Sequence, residues 1–296
     1  TGGAGFIGSA IVDRLIFSGN EILVLDNLTS GYKKNLPKNI IFIKGNICNN
    51  SILKKAFNYN PDIVIHMAAF FANQNSVDYP DKDLNTNGLG TLKLLEMSKF
   101  KKISKFIYFS SSCVYGNQNL MIEKNNTYYP DTPYAITKLL GEYYCKFYSK
   151  TYDMNISIAR IFNCYGPGEL PGKYRNVIPN FIERALNNKD IIITGSGNEI
   201  RDFTYVDDII NGILLLLKNK KIKQDEIFNF GSSKKTRILD LAKKIIKLTN
   251  SKSKIIFSKK RDWDKVIQRQ ANIKKAKKVI NYNPKTKLDV GLKKTI

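Results

Sequence analysis

The sequence opens with glycines three residues apart, and this spacing limits what the chain can fold into. Gly2, Gly5 and Gly8 precede apolar residues at helical spacing, at positions 11, 12 and 15. Glycines let a backbone turn tightly and approach a phosphate closely, and the N-terminus of the following helix offers unpaired N–H groups. The segment therefore predicts a phosphate-binding turn that leads into a helix.

The next apolar segment strengthens this prediction. Glu21–Leu25 is almost entirely apolar, as expected for a parallel strand that is covered on both faces. The strand ends at Asp26, which lies 21 residues after Gly5. An acid at this place accepts hydrogen bonds from an adenosine ribose and repels a 2′-phosphate. NAD is therefore the predicted cofactor, in preference to NADP.

Further apolar runs alternate with helical patterns along the chain. The runs at 40–43, 62–66, 105–109 and 156–161 are typical of buried strands, and small or polar residues follow several of them. This alternation predicts an α/β fold, a Rossmann-type doubly wound parallel sheet whose ligands lie at the carboxyl ends of the strands. We expect its first strand to be missing, because the sequence starts inside the glycine turn.

The expected domains divide near residue 164. Residues 1–164 are predicted to form the NAD-binding domain, and residues 165–296 mainly a smaller substrate-binding domain. Segments near 203–231 are expected to return to the first domain, because they again show strand and helix patterns.

A tyrosine and a lysine share one face of a predicted helix. Tyr134 and Lys138 follow Pro133, a helix start signal, on a helix that we expect to run to about Tyr152. A phenol has an ordinary pKa of about 10, and a neighbouring ammonium lowers it. Such a tyrosine could exchange protons with a substrate hydroxyl. By itself the pair is weak evidence, because both residue types are abundant in this chain.

Composition argues against several other classes of protein. The net charge is +23, but only eight of the 48 basic residues are arginines, the preferred readers of nucleic acid, so no nucleic-acid partner is predicted. No apolar run is long enough for a membrane span. Four scattered cysteines and one histidine predict free thiols in the cytoplasm and no metal site.

The motifs together resemble those of one enzyme family. The glycine turn, the strand-end Asp26, the segment Ser110–Gly116 with its Val-Tyr-Gly ending, and Tyr134-x-x-x-Lys138 occur in the order of an extended short-chain dehydrogenase/reductase. The chain is most similar to the nucleotide-sugar epimerase/dehydratase group, and the resemblance covers nearly all of it. This resemblance implies NAD as cofactor, a homodimer, and a nucleotide sugar as substrate, which by family frequency is UDP-linked.

The resemblance also implies site residues. The catalytic serine falls on Ser111, with Ser112 as the second choice, beside Tyr134 and Lys138. The implied cofactor residues are Gly2, Gly5, Phe6, Ile7, Gly8, Asp26, Asn27, Asn46, Ile47, Ala68, Ala69, Asn87, Tyr134, Lys138 and Phe162, although Asn46 replaces the usual Asp. The implied substrate residues are Ser111, Asn163, Val177, Arg201, Arg261 and Asp264, with the two arginines on the diphosphate.

The reaction predicted from the resemblance is epimerisation, most often at C4 of a UDP-hexose. Related dehydratases carry an acid and a base where this chain has Ser112 and Cys113, which disfavours elimination. A dehydratase, a 2- or 3,5-epimerase, a reductase, or a non-catalytic NAD- or nucleic-acid-binding protein remain alternatives. Glucose-type and N-acetylglucosamine-type sugars both stay open, because the position that tunes this choice falls within Gln268–Gln270.

Overall fold

The fold alternates strands and helices along most of the chain. The computed structural model describes residues 1–118, 121–124, 128–219, 222 and 225–296. The strands in these ranges are β1 (Leu23–Asp26), β2 (Ile41–Lys44), β3 (Ile63–His66), β4 (Lys105–Ser111), β5 (Ile156–Ile161), β6 (Cys164–Tyr165), β7 (Ile191–Thr194), β8 (Ile200–Arg201), β9 (Thr204–Tyr205), β10 (Glu226–Phe230), β11 (Thr236–Arg237) and β12 (Ile255–Ser258). The α-helices are α1 (Phe6–Phe17), α2 (Asn50–Phe57), α3 (Asn73–Asp78), α4 (Pro80–Asp83), α5 (Gly90–Phe100), α6 (Pro133–Tyr152), α7 (Val177–Leu186), α8 (Val206–Lys218), α9 (Ile238–Leu248), α10 (Lys274–Ile280) and α11 (Leu288–Thr295).

The main sheet is parallel, with strand order β10-β5-β4-β3. A second parallel pair, β1 and β2, lies beside β3. The first residues of the chain lie between β1 and β3. Gly2 N–H donates to Leu25 C=O at 2.9 Å, and Thr1 C=O accepts from Met67 N–H at 3.2 Å. The predicted α/β fold with a parallel sheet is confirmed.

Strand β4 shows why the strands are apolar along their whole length. Phe106 and Tyr108 pack into one core cluster, whereas Ile107 and Phe109 pack into another on the opposite face. Both faces are covered by helices, so the usual alternation of apolar and polar residues disappears. The larger cluster also contains residues of α7, α8 and α9.

The later part of the chain forms smaller sheets and also returns to the main one. β7 pairs with β12 in parallel, and β8 pairs with β11 antiparallel. β10 lies at the edge of the main sheet beside β5, and α8 packs on α1. The boundary near residue 164 stays a prediction.

Two details differ from the sequence-based expectation. The leucines at positions 84, 92, 94 and 95 predict a helix over Leu84–Ser98, but the structure forms a π-helical segment, Leu84–Leu89, followed by α5. Several strands also begin one or two residues later than the apolar runs, because the first residue of a run lies outside the hydrogen-bonded ladder. In the described ranges, no helix is both long and apolar enough to cross a bilayer.

Candidate active site

A cavity of about 740 Å³ lies at the carboxyl ends of β1, β3, β4 and β5. The loops after these strands line it, as expected for a doubly wound sheet. The predicted cofactor residues that line the cavity are Gly2, Gly5, Phe6, Ile7, Gly8, Asp26, Asn27, Asn46, Ile47, Ala68, Ala69, Tyr134 and Lys138. Both candidate serines, Ser111 and Ser112, also line it.

The glycine turn is packed too closely for any side chain. A Cβ on Gly2 would lie 2.6 Å from Ala68 N, and Gly2 has a φ of +70°. A Cβ on Gly8 would lie 2.2 Å from Gly2 O. Backbone atoms and the start of α1 therefore form this wall of the cavity, and the helix N-terminus offers its unpaired N–H groups there.

Asp26 is fixed at the end of β1 by two backbone hydrogen bonds. Ala4 N–H donates to its Oδ2 at 3.0 Å, and Leu28 N–H donates to its Oδ1 at 2.8 Å. The carboxylate thus joins the glycine turn to the cavity rim. The glycine cradle, the helix N-terminus and this acid fit NAD, because they offer donors for its pyrophosphate and an acceptor for its adenosine ribose.

Helix α6 carries Tyr134 and Lys138 on the face toward the cavity, and both residues are buried. The helix begins at Pro133, and the Oγ1 atom of Thr132 caps it by accepting a hydrogen bond from Ala135 N–H at 3.2 Å. Tyr134 N–H donates to Ser76 Oγ at 3.0 Å, which ties the start of α6 to α3. The positions of the two side chains therefore follow from helix spacing and a fixed helix start.

The Ser111 hydroxyl lies beside the phenol of Tyr134, close enough to oppose in part the rise in its pKa that burial causes. Ser111 Oγ also accepts a hydrogen bond from Cys113 N–H at 3.1 Å, which orients it. Lys138 Nζ donates to Phe109 C=O at 2.8 Å and lies 5.7 Å from the centre of the Tyr134 ring. Ser112 lies in the short helical turn that follows, so the geometry favours Ser111 as the partner of Tyr134.

Burial changes the acid–base picture that the sequence suggested. We expected the Lys138 ammonium to lower the pKa of Tyr134, but burial raises the pKa of this phenol well above its ordinary value, and Cys113 and Asp83 add to the rise. Burial likewise lowers the pKa of Lys138 to about 8. Desolvation of the buried phenol therefore exceeds the effect of the one neighbouring ammonium.

The structure does not bring two predicted cofactor residues to the cavity. Asn87 is buried, with its Oδ1 accepting from Phe70 N–H at 2.8 Å and its Nδ2 donating to Asp83 at 2.8 Å. Phe162 is buried beside Tyr115, with ring centres 6.3 Å apart. Both side chains lie in the walls of the site, and residues next to them in the chain line the cavity.

A second cavity of about 290 Å³ adjoins the first, and Asn163 lines both. The other predicted substrate residues, Val177, Arg201, Arg261 and Asp264, line the second cavity. Arg201 Nη2 lies 3.8 Å from Asp264 Oδ1. Burial, followed by the charge of Arg269, lowers the pKa of Arg201 to about 10.

Sequence reasoning missed several residues of these cavities. Arg269 is buried and lines both of them. Trp263 lines the second cavity and donates from Nε1 to Gln74 Oε1 at 3.0 Å. Arginine is rare in this chain, and that rarity could have drawn attention to Arg269. Its place in the site could not be inferred, because its neighbour Cys113 is 156 residues away in sequence. No group of three or more His, Cys, Asp or Glu side chains that could hold a metal occurs among the residues the structure describes.

The fold and the site define an NAD-dependent enzyme of the extended short-chain dehydrogenase/reductase class. Residues 1–231 match the NAD dependent epimerase/dehydratase family, and the chain belongs to this family. Its cofactor is NAD.

Individual relatives cover nearly the whole chain. A putative UDP-glucose 4-epimerase of Methanocaldococcus jannaschii is 36% identical over 100% of this chain and 96% of its own length. A UDP-N-acetyl-alpha-D-glucosaminuronate decarboxylase of Bacillus cytotoxicus is 33% identical over 100% of this chain and 95% of its own length. The solved structure of an epimerase from Methanothermobacter thermautotrophicus is 42% identical, with a TM-score of 0.96 over 99% of this chain and 89% of that one.

Proposed function

We propose that the protein is a nucleotide-sugar epimerase that inverts C4 of a UDP-hexose. The observation that carries this proposal is that Ser111 lies beside the phenol of Tyr134 in the first cavity, which shares Asn163 and Arg269 with the second. The first cavity fits NAD, and the second offers arginines for a diphosphate. A sugar attached to that diphosphate reaches the Ser111–Tyr134 pair when it extends from the second cavity toward the first.

Each side chain has a separate task in the proposed reaction. Tyr134, as phenolate, accepts the proton of the C4 hydroxyl when the sugar is oxidised and returns it when the keto sugar is reduced on its opposite face. Ser111 holds the same oxygen by a hydrogen bond. When bound, NAD would supply the hydride acceptor and donor and a positive charge that favours the phenolate. The Lys138 ammonium acts in the same direction.

The residues after Ser111 support epimerisation over elimination. Cys113 is buried, and its Sγ accepts hydrogen bonds from Asn73 Nδ2 at 3.6 Å and Arg269 Nη1 at 3.3 Å. Loss of water across C5–C6 needs an acid and a base beside the sugar. The hydroxyl of Ser112 and the thiol of Cys113 do not supply a carboxyl pair at these positions.

An NMR time course tests the proposal. The purified protein, with catalytic NAD, is incubated with UDP-glucose and separately with UDP-N-acetylglucosamine. We expect the C4 epimer to accumulate without net NADH, and Tyr134→Phe to abolish the reaction. Tyr152→Phe is the matched control, because Tyr152 lies at the end of the same helix and is 44% exposed. A keto-deoxy product would instead identify a dehydratase.

An exposed apolar stripe on α6 supports a homodimer. Ile136, Tyr143 and Phe147 are each at least half exposed and recur at helical spacing on this helix. A second copy of the chain would cover the stripe, since large exposed apolar patches mark association sites. Light scattering should then give twice the chain mass, and Phe147→Glu should shift it toward the monomer. An unchanged mass for the variant would exclude this face.

The four free cysteines favour a reducing compartment, so we also propose that the protein is located in the cytoplasm.

A further inference from the structure

Arg269 is a buried positive charge that lacks a partner of opposite charge. Arg269 is only 5% exposed. In the part of the chain that the structure describes, no carboxylate lies within ion-pair distance of its guanidinium. Its Nη1 donates to Cys113 Sγ at 3.3 Å, a weak acceptor, and its Nε has no partner. A buried guanidinium normally has a carboxylate or phosphate partner, because an unpaired buried charge is costly.

The charges around Arg269 increase its need for an anion. Burial lowers the pKa of the Arg201 guanidinium, and the nearby positive charge of Arg269 lowers it further. Asp131 also faces it, although burial keeps the pKa of this carboxyl raised against the opposing effect of Arg269. Asp264 is 3.8 Å from Arg201 and is therefore already engaged. Arg269 therefore has no ion-pair partner among the described residues at the place where the two cavities meet.

The position of Arg269 indicates which part of a nucleotide sugar it meets. Its contact, Cys113, donates its own backbone N–H to Ser111 Oγ, so one residue links Arg269 to the serine that we place beside the reacting carbon. Arg201 and Arg261 line only the second cavity, whereas Arg269 lines both cavities. The diphosphate is therefore assigned to Arg201 and Arg261, and the anion at Arg269 is one that the sugar itself carries.

We infer that Arg269 binds a carboxylate on the sugar ring, so that the substrate class is a nucleotide-linked hexuronic acid. The planar guanidinium fork matches a carboxylate with two parallel hydrogen bonds and would occupy the free Nε. A neutral hexose offers only a hydroxyl at C6, which leaves the charge uncompensated. The inference rests on the proposed function only in that a nucleotide sugar enters the two cavities.

Calorimetric binding to the NAD-loaded protein tests the inference without turnover. The three probes are UDP, UDP-glucose and UDP-glucuronic acid. We expect UDP-glucuronic acid to bind about tenfold to a hundredfold more tightly than UDP-glucose, the range given by charge-assisted hydrogen bonds. A net charge of +23 attracts any extra anion, so the decisive measurement is Arg269→Gln, which should remove the preference and leave UDP binding unchanged.

Two further variants control this comparison. Arg201→Gln should weaken all three probes, because it removes a diphosphate contact. Arg237→Gln removes an exposed surface charge that pairs with Asp240, and it should leave the preference intact. The preference of the unmodified protein is itself a test, so a variant that fails to fold does not rescue the inference.

Each outcome bears on the inference separately from the proposed function. Equal affinity for the two sugars, or a preference that persists in Arg269→Gln, would overturn the inference, as would a parallel loss of UDP binding, which would make Arg269 a diphosphate contact. Tight binding of UDP-glucuronic acid without its C4 epimerisation would support the inference and refute the proposed reaction. Epimerisation of UDP-glucose without any uronate preference would do the reverse.

Discussion

The buried ion pair between Arg160 and Glu142 allows a quantitative prediction about stability. Both side chains are essentially inaccessible to solvent, and Arg160 Nη2 lies 2.6 Å from Glu142 Oε2. A second bond joins Arg160 Nε to Glu142 Oε1 at 2.8 Å, and Ser110 Oγ donates to the same oxygen at 2.5 Å. The pair thus links α6, β4 and β5 directly behind Ser111.

Replacing Arg160 by Met would leave the Glu142 carboxylate buried with only the Ser110 hydroxyl. Removal of one member of a buried pair costs about 3–5 kcal/mol. The guanidinium also stacks 4.6 Å from the centre of the Tyr115 ring, a cation–π contact worth about 2 kcal/mol when desolvated. These terms overlap, so we expect a loss of about 4 kcal/mol in the free energy of unfolding, a large part of the total of about 5–15 kcal/mol typical of proteins.

Urea unfolding followed by far-ultraviolet circular dichroism measures this loss, and a double-mutant cycle assigns it. The variants are Arg160→Met, Glu142→Gln and the double replacement. The double replacement should recover part of the single losses, because no buried charge then lacks its partner. Arg237→Met is the control, since its exposed pair with Asp240 should contribute about 0–1 kcal/mol. A loss below about 1 kcal/mol for Arg160→Met, or single losses that simply add, would refute the reasoning.

Two predictions concern the cofactor and proton sites. Gly8→Ala places a Cβ against Gly2 O, so it should cost about 1–3 kcal/mol of stability and weaken NAD binding in a fluorescence titration. Ser9→Ala, one residue further along, is the control and should bind NAD normally. Tight NAD binding by the Gly8 variant would contradict the packing argument. Lys138 is an ammonium below its lowered pKa of about 8 and neutral above it. The turnover rate should therefore fall as the pH rises through about 8. A rate that stays constant from pH 7 to about 9 would exclude a role for this charge.

The local part of the site could be predicted from the sequence because its geometry depends on neighbouring residues. Tyr134 and Lys138 share a face through helix spacing, and Pro133 fixes where that helix begins. The turn from Gly2 to Gly8 and the acid at the end of β1 also follow from short-range rules. The parallel sheet followed in the same way from apolar runs that alternate with helical patterns.

Tertiary structure decided the features that depend on distant residues and on burial. It carries Asn87 and Phe162 into the walls of the site and places Arg269 against Cys113, which is 156 residues away in sequence. It also reverses the expected shift in the pKa of Tyr134, because desolvation exceeds the effect of the nearby ammonium. Spacing along the chain therefore indicated which groups we propose for the chemistry. Packing alone determined the pKa values of Tyr134 and Lys138 and the place of Arg269 in the site.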